Sequence, residues 1–148
     1  MPQPTPWSCL PAATAVVVGC KVEEIFSYLG HDGSEIWFPL EAEPYNHRCF
    51  HVQEIADYLY SRGKRLIEWE HHPASCSGDV SLLHPVFGPE HADARFKKRV
   101  AMGKGLLFME DEGKRHVLAV TNKGIIDPFD DAIVTPNLDN SDVFYEIW

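Results

Sequence analysis

No apolar run in the 148-residue chain approaches the ~18 residues needed to cross a bilayer, and no basic, apolar leader opens it. The Cys-x-x-Cys spacing of zinc and redox sites is missing, since the four cysteines stand at Cys9, Cys20, Cys49 and Cys76. Positive charge is scarce. Against 22 Asp and Glu there are 13 Lys and Arg, and a net charge of −9 argues against a nucleic-acid backbone or an anionic membrane as main partner. Internal repeats, low-complexity tracts and interdomain linkers are also lacking. With 45% hydrophobic residues the chain can bury a core, so disorder is excluded. These absences leave one domain spanning residues 1–148, expected to be cytoplasmic with free thiols.

The patterning that is present begins with Pro11, which suits a first helical turn, and the apolar stretch Ala12 to Val18, expected to form a central helix ended by Gly19. Val22, Ile25, Phe26 and Leu29 mark a short amphipathic helix closed by Gly30. From His31 to Arg48 the chain reads as a loop whose Trp37, Phe38 and Tyr45 are expected to pack down, with walling of a substrate groove as the alternative. Val52, Ile55, Ala56 and Leu59 predict a third helix, ended by Gly63, and 64–70 a strand. A helix over 90–102 carries Arg95, Lys97, Lys98 and Arg99 on a solvated face. Strands are expected at 105–109, 116–121, 125–128 and 144–148. Helices first and an antiparallel sheet second make the class α+β.

One constellation carries chemistry. Cys9 opens the buried helix, where unsatisfied N–H groups and the helix dipole favour a thiolate. A nucleophilic thiol needs a base that is distant in sequence and close in space. His116 leads a strand that is otherwise apolar, and a hairpin returns to Asp127. If the turn has two residues, Thr121 pairs with Gly124, and His116 and Asp127 share a face diagonally, within side-chain reach. A three-residue turn would separate them. Each residue also has a plain reading: a buried thiol at a helix start, a core histidine, and a turn aspartate before proline. Asn122, Asp130 and Asp131 are alternatives to Asp127 as the group that orients the histidine. Cys20, Cys49 and Cys76 read as packing thiols.

Gln3, then Cys9 and Pro11-Ala12-Ala13 opening an apolar helix, resemble the start of C39-like peptidases, a branch of the papain-like cysteine peptidase fold. The run from His116 to Val120, followed by Ile125-Ile126-Asp127-Pro128, resembles that family's second half, and Phe50 to Leu59 its midway helix. The resemblance spans Gln3 to about Phe129. It implies a papain-like fold and a thiol protease that hydrolyses a peptide or isopeptide bond. Carried over by position, it makes Cys9 the nucleophile, His116 the general base and then acid, and Asp127 the group orienting the imidazole. Gln3, with the Cys9 backbone N–H, becomes the oxyanion donor. Leu10 stands where the family often has glycine, and the prolines around Gln3 imply a stiff arm presenting it. No cofactor is implied. The expected partner is a protein or peptide substrate, and the acidic balance points to one presenting basic residues.

Other readings keep the same scaffold: an acyltransferase or deamidase, or an inactive peptide-binding module. Metal is the rival chemistry. His47-x-Cys49-x-His51, and His71-His72 with Cys76 and His84, offer zinc-ligand types without the usual spacing, so no metal site is assigned.

Overall fold

The structure is a computed structural model that describes residues 2–71 and 89–148. Among these residues are four helices, α1 (Cys9–Val18), α2 (Val22–Leu29), α3 (Val52–Ser61) and α4 (Pro89–Met102). They pack with six strands, β1 (Leu66–Glu70), β2 (Gly105–Asp111), β3 (Lys114–Thr121), β4 (Gly124–Asp127), β5 (Ala132–Val134) and β6 (Ser141–Ile147). The strands form one antiparallel sheet in the order β1-β6-β2-β3-β4-β5. The class is α+β. No helix among the described residues is long and apolar enough to cross a membrane.

The composition of α1 explains its place. Ala12, Ala13 and Ala15 are all buried, and their small side chains let the helix lie close against β2 and β3. Gly19 and Gly30 end α1 and α2 in the left-handed conformation, with φ of 75° and 78°, and return their N–H groups to Ala15 and Phe26. α3 starts on a reciprocal cap in which the His51 ring accepts from Gln53 N while Glu54 accepts from His51 N.

Helices cover both faces of the sheet. Leu106, Val117 and Ala119 join α1, α2 and α3 in one core cluster, whereas Leu107, Leu118, Val120 and Phe144 meet Phe96 and Val100 of α4 in another. That sorting explains why β2 and β3 read as continuous apolar runs rather than alternating ones. On the solvated face expected for α4, Arg95 and Lys98 are exposed, and Arg99 alone departs from it. Arg99 makes a bidentate pair with Glu146 at 2.7 and 2.9 Å, and Glu146 is only 5% exposed. Trp69 donates to the same carboxylate at 3.0 Å. Gly105 starts β2 at a point where any side chain would collide, because an added Cβ would lie 2.0 Å from the Tyr145 carbonyl oxygen.

The sheet is larger than the sequence pattern predicts. β5 and the short 3-10 turn at Leu138–Asn140 lie where no strand or helix is expected, and β6 begins three residues earlier than expected, at Ser141. β5 escapes notice because three residues are too few to show a period. It forms by pairing with β4, Asp127 opposite Ala132.

The largest departure concerns the loop between α2 and α3. Trp37 and Phe38 do not pack down: they are 50% and 52% exposed, and Tyr45 is 44% exposed. The loop is held out from the body by its base. His47, itself buried, stacks on Trp7 at 3.8 Å and uses Nδ1 on the Ser34 carbonyl at 2.7 Å. Ile36 bridges His47 across the loop, and the N–H groups of Trp37 and Phe38 both reach the Asn46 carbonyl.

Candidate active site

Cys9 is the first residue of α1, and what precedes it leaves that helix end uncapped. A serine before an apolar helix ordinarily caps it. Ser8 instead turns its hydroxyl back to the Thr5 carbonyl at 2.9 Å, while Thr5 N donates to Ser8 Oγ at 3.1 Å. No side-chain cap reaches α1, and its first turn carries no acidic residue. The positive end of the helix is therefore left facing the surroundings of Cys9.

The hairpin between β3 and β4 has the two-residue turn on which the parity argument depends. Thr121 pairs with Gly124, Val120 with Ile125 and Ala119 with Ile126. Asn122 and Lys123 form the tip, so Asn122 is far along the strand from His116. His116 Nε2 and Asp127 Oδ1 are 2.6 Å apart, with side-chain exposures of 34% and 26%. Asp127 Oδ1 also accepts the Phe129 N–H at 2.9 Å, which fixes the carboxylate from the other side. Asp130 is used locally, accepting from Ala132 N at 3.1 Å, and Asp131 sits at a φ of 58°. Neither replaces Asp127 against the ring.

Cys9 and His116 line one cleft of about 340 Å³, together with Trp7, Tyr45, Phe50 and Phe108. Hydrogen bonding of the charged ring to the Cys9 sulfur, opposed by burial and reinforced by Asp127, raises His116 from 6.5 to about 9. With Nε2 committed to Asp127, Nδ1 is the ring nitrogen left outside that contact. The ring is thus an imidazolium at neutral pH.

Gln3 is held near the same segment. Its backbone N–H donates to the Pro128 carbonyl at 2.6 Å, immediately after Asp127. Its side-chain Nε2 donates to the Thr5 carbonyl at 2.8 Å, while Oε1 is buried with no hydrogen-bond partner among the described residues. Exchanging the two amide atoms would set oxygen against oxygen, so this orientation is the favourable one. Gln3 is not among the residues lining the cleft that holds Cys9 and His116.

Leu10 is 5% exposed, packs into the core and contributes to the cleft lining. Cys49, expected to be a packing thiol, lines the cleft with Cys9. Burial raises its proton affinity, and the charge of Cys9 adds to that rise. Its backbone lies at a φ of 57°, unusual for a residue with a Cβ, and its N–H is held by the Gly33 carbonyl at 3.0 Å. Cys20 meets the Tyr58 hydroxyl at 3.4 Å. Trp7, which no motif singles out, joins the cleft to the loop base, its indole N–H donating to the Asp32 carbonyl at 3.0 Å.

The residues weighed as metal ligands are engaged elsewhere. His47 binds Ser34 and Glu43, His51 caps α3, and His71 is buried between the Ser141 carbonyl and Asp93. Among the described residues no three His, Cys, Asp or Glu side chains are grouped to hold a metal ion. His72, Cys76 and His84 lie outside the described residues. Searches of protein-family models, curated proteins and solved structures find no match for this chain.

Proposed function

We propose that the protein is a cysteine peptidase of papain-like fold, hydrolysing a peptide or isopeptide bond with Cys9 as nucleophile. The observation that carries this reading is the His116–Asp127 contact at 2.6 Å on a ring whose proton affinity is raised chiefly by Cys9. A structural histidine needs neither partner in an open cleft. The likeness to C39-like peptidases supports the same assignment.

The sulfur attacks the carbonyl carbon, and the carbonyl π electrons move to oxygen. Developing negative charge meets the uncapped start of α1 and the Cys9 backbone N–H, with the Gln3 carboxamide as the further donor that the resemblance implies. The imidazolium gives its proton to the leaving nitrogen, the C–N bond breaks, and a thioester joins the acyl group to Cys9. Water then attacks the thioester while neutral His116 takes its proton. Collapse returns the sulfur, the ring regains its charge and the carboxylic acid leaves. Asp127 keeps Nε2–H bonded through both steps, so Nδ1 stays directed at the chemistry. The open, apolar-walled cleft suits a polypeptide, and the acidic net charge favours one with basic residues.

The test is competitive labelling with iodoacetamide, read by mass spectrometry. Cys9 is expected to react at least about tenfold faster than Cys20, Cys49 and Cys76, and His116→Ala to remove that advantage. Equal reactivity of the four thiols would overturn the proposal. A peptide library incubated with wild type and Cys9→Ala then separates hydrolysis from transfer.

A further inference from the structure

Exposed apolar side chains are concentrated beside the cleft. Of eleven large apolar residues exposed among the described residues, five fall between Ile36 and Tyr45, and Leu40 is wholly exposed. A loop with that composition normally collapses onto the body, because each side chain turned inward leaves water. Here collapse is prevented by the base already described: the Trp7–His47 stack, the His47–Ser34 bond and the Ile36–His47 bridge. Gly33 tightens it further, since a Cβ there would lie 2.7 Å from the Phe50 ring and 3.0 Å from Trp7. The apolar surface is thus presented, not merely left over.

Two features say what covers it. The patch is continuous with the cleft through Tyr45, which is both 44% exposed and part of the cleft wall. Its charge is of one sign. Between Asp32 and His47 the chain carries Asp32, Glu35, Glu41 and Glu43 with no Lys or Arg, and all four carboxylates are exposed. The first cation after them, Arg48, is committed to Glu54 at 3.2 Å and to the face of Trp37 at 4.7 Å. An acidic rim repels an anionic lipid surface and attracts a basic polypeptide.

We propose that the Ile36–Tyr45 segment is an exosite of the cleft, binding an apolar stretch of polypeptide substrate flanked by basic residues. The inference rests on the peptidase reading, and it adds where the substrate is gripped away from the sulfur. Phe38 and Leu40 supply apolar contact. Glu35 and Glu41 select the flanking charge.

The test uses Cys9→Ala, which binds without turnover, and fluorescein-labelled peptides read by polarisation. One peptide has a Leu-Val-Phe-Leu centre with two lysines on each side; a second replaces the lysines with glutamates; a third replaces the centre with Gly-Ser repeats. The lysine-flanked apolar peptide is expected to bind at least about tenfold tighter than either other. Adding Phe38→Ser and Leu40→Ser should weaken it about tenfold with unchanged melting temperature, since both side chains face solvent. Adding Glu35→Gln and Glu41→Gln should shrink the preference for lysine over glutamate flanks. Equal binding of the three peptides, or indifference to Phe38→Ser with Leu40→Ser, overturns the exosite. So does light scattering that shows a dimer dissolved by those two substitutions while peptide binding persists, which would give the patch to a second copy. Because binding to Cys9→Ala needs no catalysis, the labelling experiment can fail while this one succeeds, and the reverse.

Discussion

If Cys9 and Asp127 together charge the His116 ring, removing each should discharge it by a different amount. Hydrogen bonding to Cys9 is the largest influence on the ring, ahead of the opposing effect of burial and the support of Asp127. Cys9→Ala should therefore lower the ring's titration midpoint more than Asp127→Asn does. The full rise, from 6.5 to about 9, corresponds to roughly 3 kcal/mol at about 1.4 kcal/mol per tenfold change in proton affinity. A third of the side chain meets water, so roughly 2 kcal/mol is the figure to carry forward. The sign follows from the direction of the change. A ring protonated more readily when folded contributes its stability fully below pH 6.5 and loses it as pH rises through about 9.

The assay is a proton–carbon NMR titration of the histidine rings, with His116 assigned by the signal lost in His116→Gln. Wild type should show one ring titrating near 9, Asp127→Asn partway back toward 6.5, and Cys9→Ala further still. Urea unfolding should then find the wild type's advantage over His116→Gln shrinking by roughly 2 kcal/mol between pH 6.5 and 9. A wild-type midpoint near 6.5, or a larger drop in Asp127→Asn than in Cys9→Ala, would refute the coupling between sulfur and ring. The catalytic assignment would then lose its main support.

Four further expectations concern residues outside that pair. Arg99→Ala strips the buried Glu146 of its bidentate partner and should cost about 3–5 kcal/mol in urea unfolding, whereas Arg99→Met with Glu146→Leu should recover most of it. Gly105→Ala forces a methyl against the Tyr145 carbonyl and should lower the melting temperature sharply, with loss of the β2–β6 pairing visible by amide exchange. Gln3→Ala should reduce turnover of a library-selected peptide by about 10²–10³. Pro4→Gly with Pro6→Gly should reduce it less, leaving the melting temperature nearly unchanged, because both prolines are exposed.

Features governed by near neighbours are legible in the sequence. The apolar run of α1, its glycine stop and the i, i+3, i+4 spacing of α2 and α3 each follow from local preference and burial. The His116–Asp127 meeting was legible conditionally, because one turn length fixed the parity of both residues. Features set by long-range partners were not legible. Arg99 lies in a basic run that reads as solvated, and only the buried Glu146, 47 residues away, draws it into an ion pair. Trp37 and Phe38 read as core because aromatic rings usually leave water. Their exposure depends on Trp7 stacking on His47 across forty residues of sequence.

Ser8 shows why a site can break a local rule and still be consistent. Its position predicts a cap on α1, and forgoing a cap costs about 1 kcal/mol of helix stability. The hydroxyl is not wasted, since it closes the Thr5–Ser8 turn from a fully buried position. That turn sets the spacing between Gln3, whose amide is bonded to the same Thr5 carbonyl, and Cys9. A capping serine would have neutralised the helix end where the proposed reaction develops negative charge. Diverting it keeps the N–H groups of the first turn for an anion and fixes the arm that carries Gln3. One side chain thereby links the arm of the proposed oxyanion donor to the helix of the proposed nucleophile.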